Sequence, residues 1–171
     1  MSRDLRELRW WMRFFIVALV VSGLTAFPLA TELRLLGEWF HVDAPGIPEQ
    51  GIQWWFRSIR DALNDTYSHY PWLGYGTDWL AFAHLVIAVF FVGPYRDPVR
   101  NVWIIQSGLI ACAGVVLMAF VCGPIREIPF YWRCIDASFG VFGAIPLWRV
   151  LVLTKRLESA QQSAPSRKPC M

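Results

Sequence analysis

The sequence predicts an all-α membrane protein, an antiparallel bundle of four transmembrane helices with an amphipathic extracytoplasmic helix between spans 1 and 2. Three observations lead there. Apolar residues make up 56% of the 171, and they gather into runs, as in a chain whose solvent is lipid. Four of these runs approach or exceed the length needed to cross a ~30 Å hydrocarbon core at about 1.5 Å per helical residue. The breaks between them are rich in Gly and Pro, and short turns set successive helices antiparallel. Ten Trp and twelve Phe suit membrane interfaces and bundle packing. The net charge of +3 is carried mainly by Arg near helix ends. No basic stripe interleaved with stacking aromatics is present, so nucleic acid is not an expected partner.

The first span is expected at about residues 11–30. Four Arg and two acids lie within residues 1–13, together with Trp10 and Trp11, ahead of the apolar run 14–29. A signal peptide shares that beginning, but the run is long and no clean small-residue cleavage site follows, so an uncleaved helix is expected. The helix should continue a turn or two past Ala30 and break at Pro45 and Pro48, since proline cannot occupy a helix interior. Within the outer loop 33–76, residues Ile52, Trp55, Phe56, Ile59 and Leu63 recur at helical spacing opposite Arg57, Arg60, Asp61, Asn64 and Asp65. That helix is too charged to span, and it either lies on the membrane surface or packs on the outer end of the bundle.

The second span is expected at 77–93, stopped by Gly93-Pro94, after which Asp97 caps a new helix with Pro98 in its first position. The third, 101–122, stops at Gly123-Pro124, and the fourth covers 130–153. Residues 1–156 form one transmembrane domain, and 157–171 read as a disordered cytoplasmic tail. The turns GPYRDPVRNVW and GPIREIPFYWR share Gly-Pro-x-Arg-acid and a following Pro. Similar turn chemistry explains this more simply than a duplicated unit. Lys and Arg number eleven on the side of the termini and five on the other, which places both termini in the cytoplasm of a bacterial inner membrane.

Ionisable groups within spans cost about 2.5–3.5 kcal/mol on insertion scales, so His84, Asp136 and Asp78 call for a reason. His84 and Asp136 each lie about seven residues into spans that run in the same direction, so similar depth and a mutual contact are expected. Asp136, Gly140 and Ala144 share a helix face with Gly143 alongside, and small residues admit a close neighbour. The pair reads either as a proton-handling or polar ligand site, or as a clasp fixing helix register, with Arg133 an alternative partner for Asp136. The clasp is preferred. Gln106 and Ser107 read as interhelical hydrogen-bonding residues.

A bundle haem needs two facing axial His, and His41 and His69 both lie in the outer loop. No metal-ligand spacing is present, so neither cofactor nor metal is expected. The turn residues Arg126, Glu127, Tyr131 and Trp132, with Arg133, read as interface anchors facing lipid headgroups. Cys112, Cys122, Cys134 and Cys170 contain no C-x-x-C pair. In topology the chain resembles quinone-coupled disulfide oxidases, but their mechanism needs two outward cysteine pairs and the outer loop holds no Cys. No phosphate cradle, nucleophile elbow or metalloprotease helix is found.

The segments YGTDWLAFAHL, GPYRDPVRNVW and RCIDASFGVFGAIPLW resemble those of a family of small four-span bacterial inner-membrane proteins without known activity. The resemblance covers most of 75–148 and implies topology alone. The functional expectation is a non-enzymatic subunit that binds lipid, another membrane protein or a second copy of itself. The alternative is an oxidoreductase or transporter subunit using His84 and Asp136 with a quinone, haem or proton.

Overall fold

The computed structural model describes residues 3–163, and every regular element among them is helical. In order these are α1 (Arg3–Ala26), α2 (Leu29–Trp39), α3 (Ile52–His69), a 3-10 turn (Pro71–Leu73), α4 (Gly74–Phe90), α5 (Val92–Arg96), α6 (Val102–Ile125) and α7 (Phe130–Gln162). Four stretches are long and apolar enough to cross a membrane: Arg3–Ala26, Pro71–Arg96, Val102–Ile125 and Phe130–Gln162. This is a multi-pass membrane protein.

The chain divides into two compact units, Met1–Ala18 with Ala88–Met171, and Leu19–Ile87. In the first, α6 and α7 pack along their length as a hairpin. Gly123 meets Arg133, Gly140 meets Cys112 and Val116, and Gly108 meets Leu147, so contacts ascending on one helix descend on the other. Gly140 sits directly against the Cys112 backbone carbonyl, where any side chain would intrude. Leu8 and Met12 of α1 are fully buried in this unit, as are Ile105, Leu147 and Val150. Phe15 meets Phe91 edge-on, with ring centroids 4.8 Å apart. Buried Thr154 satisfies its hydroxyl by donating to the Val150 carbonyl at 2.8 Å. The Glu7 carboxylate accepts from the Arg149 guanidinium, tying the start of α1 to α7.

In the second unit, Gly23 of α1 stands where an added Cβ would be 3.0 Å from both the Ala81 carbonyl oxygen and the His84 Cβ. Small Gly23 therefore lets the end of α1 lie against α4. Helices α2 and α3 pack around Phe40 and Phe56, whose rings stack at 5.2 Å, and around fully buried Val42. The link between them turns through left-handed Gly46 and Gly51, with φ of 83° and 107°.

Several expected boundaries move. The first membrane helix ends at Ala26, before the expected end at 30, because Pro28 lacks an N–H and its ring opposes the carbonyl four residues back. A separate helix then starts at Leu29. Gly93-Pro94 does not stop the second span. Pro94 is buried in the first turn of α5, where a missing N–H costs little, and Gly93 is not left-handed. Asp97 does accept the Arg100 amide at 3.1 Å, but it holds a turn, and α6 begins only at Val102. Gly123-Pro124 also stays within its helix. The stop is Glu127, left-handed at φ 56°, with the Ile128 amide donating to the Gly123 carbonyl at 3.0 Å and the Glu127 amide to Pro124 at 3.1 Å. That is the paired hydrogen-bond arrangement usually closed by glycine. Finally, α7 runs to Gln162, so residues 157–162 are helical where composition leads one to expect a disordered tail. Residues 164–171, Cys170 included, lie outside the described residues.

Candidate functional site

Within Leu19–Ile87, the bend between α1 and α2 faces the end of α3 and the start of α4 across an open groove of about 480 Å³. Pro28 makes the bend by ending α1. Phe27, Pro28, Ala30 and Thr31 form one wall, while Tyr67, Pro71, Gly74, Tyr75, Thr77 and Asp78 form the rest. Gly74 makes room here. A Cβ on it would be 3.2 Å from the Tyr67 ring, so its absence lets the phenol lie flat on the first turn of α4. The Thr77 hydroxyl donates to the Gly74 carbonyl at 2.7 Å. With its proton engaged there, the Thr77 oxygen accepts from the Tyr67 hydroxyl at 3.3 Å. The phenol oxygen keeps lone pairs for a ligand.

Asp78 is the one charged residue among the groove's lining residues. It is half-buried, and no residue of the described chain gives it a hydrogen bond or ion pair. Oxygen acceptors, aromatic faces and one carboxylate describe a site for a positive group. His84, six residues further along α4, is not part of this lining. Its Nδ1 lies 2.8 Å from the Leu80 carbonyl. A carbonyl can only accept, so Nδ1 is the donor in this bond, and Nε2 stands outside it.

In the same unit, the α2–α3 pair is held by a charge clamp. Arg60 grips both Asp43 oxygens, at 2.7 and 2.8 Å, and reaches Asp61 at 2.9 Å. Arg57 donates to the Val42 carbonyl at 2.6 Å. Hydrogen bonding from Arg60, with some help from the charge of Arg57, holds the Asp43 carboxyl below the usual carboxylate range. The same bond, seconded by Asp61, pushes the Arg60 guanidinium upward.

Asp136 and Arg133 belong to α7 in the other unit. They do not pair. Arg133 lies 5.3 Å over the Phe130 ring, runs its stem against Gly123, and leaves a buried Nε without a hydrogen-bond partner. Asp136 is half-buried one turn before Gly140. In the outer turn, Glu127 supplies the left-handed residue that ends α6, while Tyr131 and Trp132 are half-buried and Arg126 is exposed. Among the described residues no three of His, Cys, Asp and Glu gather as a metal cradle requires. Cys112, Cys122 and Cys134 are free thiols.

Of the groove, the sequence singles out only Asp78. Thr31, Tyr67, Tyr75 and Thr77 carry no such mark, because three separate elements contribute them. The pattern Y-G-T-D, a phenol and a small residue ahead of an acid at a helix start, is the one local signal of the site. The chain matches no protein-family model, no curated protein and no solved structure.

Proposed function

We propose that the chain is a small, non-enzymatic protein of a bacterial inner membrane that binds lipid or a partner membrane protein as an assembly subunit. In this reading it forms an antiparallel four-helix bundle with both termini in the cytoplasm, and α3 lies at the outer surface. The carrying observation is how little the helices bury one another. In three of the four candidate spans only 17% of the apolar window is buried within the chain, against 44% in Phe130–Gln162. Apolar side chains such as Val17, Phe90 and Leu117, each more than half exposed, are thus left to lipid or to another protein. The excess of Lys and Arg at the two ends and in the 96–100 loop supports the orientation. The kinship with small four-span bacterial membrane proteins belongs to the same proposal.

The test is native purification in a lipid-retaining polymer, followed by identification of bound lipid and protein. Stoichiometric lipid or a co-purifying membrane protein supports the reading. A preparation holding neither would overturn it.

A second reading takes the chain as an oxidoreductase or transporter subunit in which His84 and Asp136 handle a proton, quinone or haem. It is favoured by one observation, the Nδ1–Leu80 bond that leaves the His84 Nε2 available. An absorbance spectrum decides between the two, since a Soret band or an extractable quinone would replace the first reading with the second.

A further inference from the structure

We propose that the groove beside Asp78 holds the ammonium group of a zwitterionic phospholipid headgroup. The proposal rests on the lipid-binding reading above and names the headgroup. Three features of the groove select a cation. Its lining includes the Asp78 carboxylate and no Lys, Arg or His. The hydrogen-bond order Tyr67 to Thr77 to Gly74 turns the phenol's acceptor lone pairs toward the ligand rather than its proton. Phe27, Tyr67 and Tyr75 bring three aromatic rings to the lining, and ring quadrupoles attract an alkylammonium.

An anionic headgroup or a free phosphate would meet Asp78 with no compensating base, so charge excludes it. A volume of about 480 Å³ falls in the range of small-ligand sites. The open mouth suits a headgroup that remains attached to its diacyl body.

Location selects lipid as the source. The groove opens at the beginning of the membrane-crossing stretch Pro71–Arg96, and Asp78 lies roughly 10 Å along it at 1.5 Å per residue. Around it Tyr70, Trp72, Tyr75 and Trp79 are all more than half exposed. Exposed Trp and Tyr at the end of a span mark the headgroup layer. Tyr75, Trp79 and Phe82 continue edge-to-face down α4 at 5.9 and 5.8 Å, a surface against which an acyl chain can lie. Asp78 at the top of this ladder is then an intramembrane acid whose partner is the lipid's own charge.

The experiment is native mass spectrometry of the full chain in detergent, titrated with phosphatidylethanolamine, phosphatidylglycerol or N-acetylated phosphatidylethanolamine, which keeps the shape but loses the charge. Wild type is expected to prefer phosphatidylethanolamine. Asp78→Asn should weaken that lipid alone by about tenfold, the scale of one desolvated charge contact. Equal binding of phosphatidylglycerol, or unchanged binding by Asp78→Asn, would overturn the proposal. So would displacement of the lipid by equimolar O-phosphoethanolamine, because the site would then belong to a soluble amine. Should Asp78→Asn lose its helical signal, Tyr75→Leu at an exposed position probes the same groove by removing a ring face, and unchanged lipid preference there would equally overturn the proposal. Bound lipid without headgroup preference removes only the groove assignment. Absence of any bound lipid or partner removes the broader reading.

Discussion

The contact between α6 and α7 gives the sharpest quantitative test of the fold. An alanine at Gly140 would drive its Cβ into the Cys112 carbonyl oxygen, with Val116 Cγ2 at 3.1 Å and Val115 Cβ at 3.3 Å closing the alternatives. A backbone oxygen cannot rotate away as a side chain can. The two helices must therefore separate by on the order of 1 Å to restore an ordinary contact distance. Overpacking of this kind costs about 1–3 kcal/mol, and rigid backbone on both sides puts Gly140→Ala at the upper end. Alanine's better helix propensity returns about 1 kcal/mol, leaving a net loss of about 2 kcal/mol.

Gly114, on the same helix as Cys112, is the control. Nothing lies within 4 Å of its added Cβ, so Gly114→Ala keeps only the propensity gain of up to about 1 kcal/mol. Gly123→Ala falls between, because the atoms it meets are the Arg133 Cδ and Cγ at 2.5 and 2.8 Å, which can swing aside. For a chain of this length each kcal/mol moves the midpoint by about 2–4 °C. Thermal unfolding followed by circular dichroism in one detergent should place Gly140→Ala about 4–8 °C below wild type and Gly114→Ala at or slightly above it. If the Gly140 and Gly114 variants melt together, the close approach of α6 and α7 is wrong.

Asp43 sets a pH dependence. Arg60 lowers its carboxyl in the folded state, so its contribution is complete above the ordinary value of 3.8 and disappears as pH falls through the lower folded value. Amide protection in residues 29–69, taken relative to the intrinsic exchange rate at each pH, should fall below about pH 4 in wild type, whereas Asp43→Asn should be less protected at neutral pH and lack the acid step. For the Glu7–Arg149 pair, both partly exposed, Glu7→Gln is expected to lower the melting point only slightly, with a double-mutant cycle through Arg149→Met isolating the coupling. A coupling of zero would show the pair idle. Glu127→Gly relieves a left-handed residue and should stabilise the chain by roughly 1 kcal/mol, and a lower melting point would contradict the turn geometry. For the second functional reading, His84→Ala and Asp136→Ala should each alter the melting point. Unchanged values in both would remove the pair as a unit.

The sequence by itself determined that this chain is helical and crosses a membrane several times, because hydropathy and length are properties of each segment alone. It also placed Gly140 on a face suited to close packing, since 3.6-residue periodicity relates Asp136, Gly140 and Ala144 without knowledge of a partner helix. Helix ends were less legible. Gly93-Pro94 and Gly123-Pro124 read as stops, yet Pro94 sits in the first turn of α5, where a missing N–H is cheap, Pro124 stays inside the last turn of α6, and the left-handed stop fell on Glu127. Only the tertiary structure decided which polar residues meet. The Asp43–Arg60 clamp spans 17 positions, the Glu7–Arg149 pair 142, and the groove joins residues from Phe27 to Asp78. The clamp and the groove follow from where Pro28 bends the chain and how α2 folds onto α3, the Glu7–Arg149 pair from how the start of α1 packs on α7, and no local periodicity encodes them.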